Sequence, residues 1–367
     1  MLPENNNLEI VTIAGNRPEI IKLAELVKLL ECNYSNAFVY TGQHFSHNMK
    51  DVFFEELEVK FDYDLESNTS DVSVLRGNIR KLLEKTKPSY VIVYGDTNST
   101  LAGALAAKDV NCKLFHIEAG LRCFDLSKPE ERNRIHVDSL SDYYLPPTEL
   151  SKLFLKYENV PEDQIFVTGN LIVDVCKKYY QAIEGKTKAL QHKFPIDYIL
   201  LTLHRPALVD NPRMLRVLSQ FLSRVNYKII FPVHPRTKNS FAKYNITLPQ
   251  NVTLIDAQGY SDFLALLKDS IMVLTDSGGV QEESIILKKP CITLNNTTER
   301  QETILLKANR LFYPLDGDSH ENSINDVIDE MIHTKITINP YGENVTSKAY
   351  NVISNIIENE NQKLRVK

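Results

Sequence analysis

Short apolar runs alternate along the chain with helical patterns, and most of these runs end in a cluster of polar residues. Residues 8–14 have the pattern of a buried strand, and residues 20–30 then place apolar side chains at helical spacing. The strand patterns lie at residues 8–14, 37–41, 90–94, 114–117, 143–145, 164–168, 198–203, 228–231, 252–256, 271–275 and 291–294. Strands that alternate with helices predict an α/β fold with parallel sheets covered by helices.

The length of the chain predicts two such α/β domains. At 367 residues it exceeds one typical hydrophobic core. We predict an N-terminal Rossmann-like domain over residues 1–170 and a second Rossmann-like domain over residues 171–340. A polar stretch at residues 184–188 is the predicted link, and residues 341–367 are predicted to form a helix that packs back on the first domain.

Composition narrows the classes of function. The formal net charge of −5 argues against a general binder of nucleic acid or anionic membranes, so an anionic ligand must be held by a few placed arginines. The five cysteines are widely spaced and include no CxxC pair, which indicates neither a disulfide framework nor a zinc site and fits a reducing, cytoplasmic setting. Neither a signal-peptide pattern nor an apolar run of membrane-spanning length is present.

Charged side chains follow the predicted strands of the first half, at the sheet edge where parallel α/β folds bind ligands. These residues are Asp96, Glu118, Arg122, Glu131 and Arg134. The two acids Glu118 and Glu131 and the two arginines Arg122 and Arg134 form either a solvated charge cluster or a site for an anionic substrate. Asp96 could equally serve as the cap of the helix that follows it. Local sequence leaves both alternatives open.

Two turns have the composition of a phosphate site. Residues 15–19 join the first strand to a helix, and Arg17 and Lys22 lie near the amide end of that helix, where anions bind. In the second half, Ser277 and two glycines open another helix, and a glutamate at 282–283 could hold ribose hydroxyls. An ordinary capped turn would have the same local sequence in each case.

Together these motifs resemble the non-hydrolysing UDP-N-acetylglucosamine 2-epimerase family, in the same order over almost the whole chain. The matching stretches are 15–19, 95–97, 118–122, 129–134, 204–205, 232–235, 276–283, 298–300 and 339–342. The resemblance implies a GT-B-like fold, with a UDP-sugar in the cleft between two Rossmann-like domains. It also implies elimination of UDP to give a 2-acetamidoglycal, followed by re-addition with the opposite configuration at C2.

The resemblance implies roles position by position. Asp96, Glu118 and Glu131 match acid/base carboxylates, and His204 matches a histidine near the diphosphate. The implied substrate-binding residues are Arg17, Lys22, Arg122, Arg134, Tyr260, Ser277, Gly278, Gly279, Glu283 and Arg300. Removing a weakly acidic C2 proton needs a positioned carboxylate, and which of the three takes it stays open. No metal or cofactor is implied, and related enzymes are dimers, so a homodimer is expected.

The chain departs from the family pattern beside the implied site. Residues 204–207 stand where the family usually has His-Arg-x-Glu-Asn. Asn16 stands where the family usually has threonine, which is a mild change. Residues 43–48 and 233–236 differ from bacterial members that a second UDP-sugar activates, so such activation is not expected. Residues 122–125 are more similar to sister epimerases that act on UDP-2,3-diacetamido-glucuronic acid or UDP-6-deoxy-acetamido sugars.

Three other functions remain as alternatives to the epimerase. The first is a GT-B glycosyltransferase, because the fold alone does not exclude transfer of the sugar to an acceptor. The second is a UDP-sugar sensor without catalysis, and the third is a hydrolysing relative that releases free sugar and UDP. The carboxylates grouped in the first half favour proton transfer at the sugar.

Overall fold

The computed structural model describes residues 8–42, 59–180, 194, 197–203, 205–313 and 323–365. The chain divides into two compact units, one formed by Met1–Val175 with Tyr341–Lys367 and the other by Cys176–Pro340. Each unit contains one six-stranded sheet, and the strand pairs of the described residues are all parallel. The predicted fold class of two Rossmann-like α/β domains is confirmed.

In the sheet of the first unit, the direction in which successive strands are added changes between the two central strands. Its strands are β1 (Ile10–Ala14), β2 (Asn36–Tyr40), β3 (Tyr63–Asp64), β4 (Tyr90–Tyr94), β5 (Lys113–Ile117) and β6 (Tyr143–Leu145). Its helices are α1 (Arg17–Glu31), α2 (Val72–Thr86), α3 (Asn98–Asp109), α4 (Pro129–Leu140) and α5 (Glu149–Tyr157). The strand order β3-β2-β1-β4-β5-β6 makes β1 and β4 neighbours. The loops that follow them therefore meet at the switch point where such sheets bind ligands.

Local sequence explains how the central elements form. Strands β1 and β4 are buried along their whole length, as expected for parallel strands covered on both faces. Helix α1 begins after Asn16, whose side chain accepts the N–H of Glu19 at 3.0 Å, and Pro18 lies in the first turn, where its missing N–H costs little. Helix α3 begins after Thr97, which forms a capping box with Thr100.

The second unit has the same topology. Its strands are β7 (Tyr198–Thr202), β8 (Lys228–Val233), β9 (Val252–Asp256), β10 (Met272–Thr275), β11 (Cys291–Thr293) and β12 (Asn309–Leu311). Its helices are α6 (Pro206–Val209), α7 (Pro212–Ser223), α8 (Pro235–Lys243), α9 (Tyr260–Asp269), α10 (Gly278–Ile286), α11 (Gln301–Leu305) and α12 (Ile324–Ile332). The order β12-β11-β10-β7-β8-β9 places the switch point between β7 and β10. The last helix, α13 (Val345–Arg365), belongs to the first unit and packs against α1.

One predicted strand is wrong. Residues 162–164 form a short 3₁₀ helix, and Ile165 makes only a single bridge with Tyr144 of β6. The segment runs beside the edge of the sheet, where Phe166 donates its N–H to the Tyr144 carbonyl at 2.8 Å, so it lacks the continuous ladder of a strand. Residues 46–57 have a helical pattern in the sequence, but they lie outside the described residues, as does the predicted link at 184–188.

Among the residues that the structure describes, no helix is both long and apolar enough to span a membrane.

Candidate active site

Glu118 follows β5 directly and carries the carboxylate at the centre of the first unit's polar edge. Its φ of 68° lies in the left-handed region, which non-glycine residues seldom adopt and which often occurs at functional sites. The carboxylate is buried, and its Oε2 accepts hydrogen bonds from Lys22 Nζ at 3.0 Å, from the Tyr94 hydroxyl and from Asn170 Nδ2 at 3.5 Å. Three donors on one oxygen fix the orientation of this carboxylate.

Arg134 of α4 joins the two other predicted carboxylates. Its guanidinium forms ion pairs with both Asp96 and Glu131. The Asp96 side chain is 24% exposed, whereas that of Glu131 is fully buried, so Asp96 is the more accessible of the two to a substrate. Since Thr97 provides the N-cap of α3, the alternative interpretation of Asp96 as that cap is wrong.

The Glu131 carboxylate also binds the loop that follows β5. It accepts the backbone N–H of Cys123 at 3.0 Å and that of Phe124 at 2.8 Å. Phe124 has a φ of 57°, so this loop adopts a conformation that a bulky residue does not favour by itself. Glu131 therefore organises the loop in addition to pairing with Arg134.

Arg122, predicted to bind substrate, lies in a buried ion-pair network. Its guanidinium is 2.7 Å from Asp138 Oδ2 and 2.5 Å from Glu158 Oε2. Asp138 also contacts His116 Nδ1 at 2.6 Å, and His116 Nε2 lies 2.8 Å from the Gly95 carbonyl oxygen. Burial would raise the pKa of Asp138, but the charges and hydrogen bonds of His116 and Arg122 hold it below its ordinary value. Through His116, the network thus contacts the backbone of Gly95, the residue immediately before Asp96.

Glu19 is a buried carboxyl group of this site that the sequence reasoning missed. It lies on α1, where its Oε2 accepts the Gly15 N–H at 2.6 Å. Burial raises the pKa of Glu19 to about 7, against the effect of the backbone hydrogen bond from Gly15. A signal was present in the sequence, because Glu19 shares the apolar stripe of α1 with Leu23 and Leu26.

Arg17 and Lys22 lie on the same helix as Glu19. Arg17 is half-buried at the first position of α1, where the helix presents its amide end. Lys22 is one turn further along, and besides pairing with Glu118 its ammonium group lies 5.2 Å from the centre of the Tyr94 ring. Tyr94 is a second contact residue that the sequence reasoning missed, since the end of a buried strand gave no local sign of it.

The predicted phosphate loop of the second unit opens α10. Ser277 is the N-cap, and its hydroxyl oxygen accepts the Val280 N–H at 3.5 Å. Gly278 and Gly279 form the first turn. A Cβ atom on Gly278 would lie 2.5 Å from Glu299 Oε1, so a side chain there would require that carboxylate to shift. The glycine leaves the amide end of the helix uncovered by a side chain of its own.

Arg205 connects the loops that follow β7 and β10. Its backbone N–H donates to Asp276 Oδ2 at 2.9 Å, and its Nε donates to the Asp276 carbonyl at 2.7 Å. The hydroxyls of Thr202 and Thr275, which end the two strands, are 2.6 Å apart. His204, predicted to be catalytic, lies outside the described residues, but its neighbour Arg205 is thus fixed to the residue before Ser277.

Two further predicted residues, Tyr260 and Glu283, contact each other. The Tyr260 hydroxyl hydrogen-bonds Glu283, and burial together with the charge of Glu283 raises the pKa of Tyr260 well above its ordinary value. Arg300 forms a buried ion pair with Glu282. Because Glu282 is engaged by an arginine, Glu283 is the better candidate for a ribose hydroxyl.

These side chains offer two kinds of chemistry. Carboxylates at the edge of the first sheet can transfer protons, and arginines and helix amides can hold an anion. Within residues 8–42, 59–180, 194, 197–203, 205–313 and 323–365, no group of three or more His, Cys, Asp or Glu side chains is arranged to hold a metal ion.

Comparisons with known proteins agree on one family. A family model described as UDP-N-acetylglucosamine 2-epimerase matches residues 30–357. The UDP-N-acetylglucosamine 2-epimerase of Methanocaldococcus jannaschii is 40% identical over 354 residues, which cover 91% of this chain and 95% of that protein. A crystal structure of the UDP-GlcNAc 2-epimerase from the same organism, in complex with UDP-GlcNAc and UDP, matches with a TM-score of 0.84 and 37% identity, covering 95% of this chain and 100% of that one. The UDP-2,3-diacetamido-2,3-dideoxy-D-glucuronate 2-epimerase of Pseudomonas aeruginosa is 37% identical over 316 residues, covering 83% of this chain and 88% of that one.

Proposed function

The chain belongs to the UDP-N-acetylglucosamine 2-epimerase family, and from that premise we propose that it converts UDP-N-acetylglucosamine to UDP-N-acetylmannosamine by inverting C2. One observation in the structure carries the proposal. Two carboxylates that end neighbouring strands, Glu118 and Asp96, each pair with a cation, Lys22 and Arg134 respectively. Such pairs hold carboxylates oriented for proton transfer at a sheet edge that binds ligands.

The proposed reaction has two balanced steps. In the first, a carboxylate takes the proton from C2 while the bond between C1 and the UDP oxygen breaks, which yields UDP and a 2-acetamidoglycal. In the second, the UDP oxygen adds back to C1 and C2 receives a proton on its opposite face. Asp96, Glu118 and Glu131 are the proposed acid/base groups, and substitution of each by its amide decides which of them takes the C2 proton.

The departing diphosphate needs positive electrostatic support. We assign this role to the amide end of α10 at Ser277, Gly278 and Gly279, with Arg17, His204 and Arg300 as further phosphate-side groups. Glu283 and Tyr260 are assigned to the nucleoside, where a carboxylate can accept ribose hydroxyls. Lys22, Arg122 and Arg134 hold the carboxylates and the loops that carry them.

A second candidate is the sister activity on UDP-2,3-diacetamido-glucuronic acid. Two observations favour it: residues 122–125 depart from the pattern of the main family, and the Pseudomonas aeruginosa relative with that name is 37% identical. For either substrate we propose a homodimer in the cytoplasm that serves polysaccharide biosynthesis. The five cysteines lie within the described residues and are free thiols, which supports a reducing compartment.

Proton NMR of a reaction in D₂O with UDP-N-acetylglucosamine and no acceptor tests the proposal. We expect UDP-N-acetylmannosamine that carries deuterium at C2. Protium at C2 in the product of an active preparation would refute elimination, and free sugar would indicate a hydrolase. Conversion of the diacetamido substrate alone would establish the sister activity, and turnover only with an acceptor would establish a glycosyltransferase.

Glu118→Gln should lower kcat by roughly 10²–10⁴-fold, because the amide cannot accept the proton or pair with Lys22. The variant is assayed in the same NMR experiment, beside a thermal melt that reports whether it is folded. Wild-type turnover by a folded Glu118→Gln protein would remove Glu118 from the proposed mechanism.

A further inference from the structure

Glu19 lies between the two loops that meet at the switch point of the first sheet. On the β1 side its Oε2 accepts the Gly15 N–H at 2.6 Å. On the β4 side its Oε1 lies 3.4 Å from Thr100 Oγ1, and its carboxyl also hydrogen-bonds the Thr97 side chain. The side chain of this residue therefore spans from the turn that carries Arg17 to the start of α3.

A helix cap alone does not account for this arrangement. A glutamate at the third helical position often reaches back to a backbone N–H, and such caps usually remain in contact with solvent. Glu19 is instead 3% exposed and uses its second oxygen on a different element of the fold. Burying a carboxyl group is costly, so its hydrogen bonds to the second loop must offset that cost.

The charged groups around Glu19 connect it to the candidate proton-transfer residues. Asp96, next to Thr97, is the neighbour whose negative charge adds to burial in raising the pKa of Glu19 to about 7. Asp96 in turn pairs with Arg134 of α4. One turn along α1, Lys22 pairs with Glu118. A change in the charge of Asp96 thus changes the pKa of Glu19.

We propose that Glu19 is a positioning residue that holds the Gly15–Asn16 turn against the Thr97–Thr100 cap and so fixes Arg17 and Asp96 relative to each other. This inference rests on the proposed function for its catalytic consequence. Its structural part, the connection between the two loops, stands on the hydrogen bonds that Glu19 forms with the Gly15 N–H and the Thr97 side chain. Glu19 touches neither substrate nor reacting atoms in this role.

Glu19→Gln tests the proposal, with Glu25→Gln as a matched control. Glu25 lies on the same helix and pairs with Lys28 at its partly exposed surface, so its substitution should leave both readouts at the wild-type value. In Glu19→Gln we expect the amides of Gly15 and Thr97 to exchange hydrogen about tenfold faster, because glutamine has a single acceptor oxygen and can no longer accept hydrogen bonds from both loops at once. Faster exchange at Gly15 with no change at Thr97 would reduce Glu19 to a helix cap and overturn the proposal.

Kinetics provide the second readout. With UDP-N-acetylglucosamine as substrate, we expect kcat to fall about 10²-fold in Glu19→Gln with little change in KM, since misplacing a catalytic group by a small distance has that order of cost. The raised pKa of Glu19 predicts a break near pH 7 in the wild-type profile of kcat/KM, and this break should be absent from the variant. Wild-type rates and an unchanged profile would overturn the inference, whereas a wild-type protein that epimerises no UDP-sugar would refute the proposed function and leave the exchange experiment to decide on Glu19.

Discussion

Replacing Glu131 by glutamine removes a negative charge from a position with no solvent access. The Glu131 carboxylate accepts two backbone N–H groups, from Cys123 and Phe124, and pairs with Arg134. A glutamine keeps the volume of the side chain but replaces one acceptor oxygen by an amino group. That amino group must face either a backbone N–H or the guanidinium of Arg134, and all of these are donors.

The expected loss of stability follows from these contacts. Removing one partner of a buried ion pair costs about 3–5 kcal/mol, because the remaining charge is left without compensation. Arg134 keeps its second partner, Asp96, so the lower end of the range applies, about 3 kcal/mol. For a unit of this size each kcal/mol lowers the melting temperature by about 2–4 °C, which predicts a decrease of roughly 6–12 °C.

Differential scanning calorimetry of Glu131→Gln beside Glu130→Gln measures this effect. Glu130 precedes Glu131 on α4 and is exposed, so its substitution should change the free energy of unfolding by less than about 0.5 kcal/mol. Hydrogen exchange should accelerate at Cys123 and Phe124 only in the Glu131 variant. If both variants melt together while Glu131→Gln alone loses activity, then Glu131 acts purely in proton transfer and its assigned support of the loop is wrong.

Two further predictions concern stability. Gly120→Ala should lower the free energy of unfolding by at least about 2 kcal/mol in a denaturant titration, because φ is +78° and the new Cβ would lie 2.8 Å from Leu155 Cγ. Gly77→Ala, in an open position on α2, should leave the free energy of unfolding unchanged. Equal midpoints for the two variants would refute the tight packing around Gly120. Glu19 has its pKa raised from 4.5 to about 7, so its contribution to stability is complete below pH 4.5 and is lost as the pH rises to about 7. Relative to Glu19→Gln, the wild type should therefore lose roughly 3 kcal/mol of unfolding free energy over this range. Parallel plots of unfolding free energy against pH for the two proteins would contradict the raised pKa of Glu19.

Local sequence was sufficient to predict the fold class and most of the strands and helices. Buried strands appear as apolar runs because helices cover both faces of a parallel sheet, and Ser277 is recognisable as a cap because the bond it makes is to a residue three positions away. The segment 164–168 was assigned wrongly because a strand needs a continuous ladder with its neighbour, and an apolar run alone does not show whether that ladder forms.

What the sequence by itself determined is therefore the two α/β domains, the polar ends of their strands and the residue types available there, since periodicity, caps and turns depend on neighbours along the chain. Only the tertiary structure decided what those residues do to one another. It paired Glu118 with Lys22 across 96 positions, enclosed Arg122 between Asp138 and Glu158, and buried Glu19 against the loop that carries Asp96. Burial and the charge of Asp96 raise the pKa of Glu19, and both arise only when distant segments pack together.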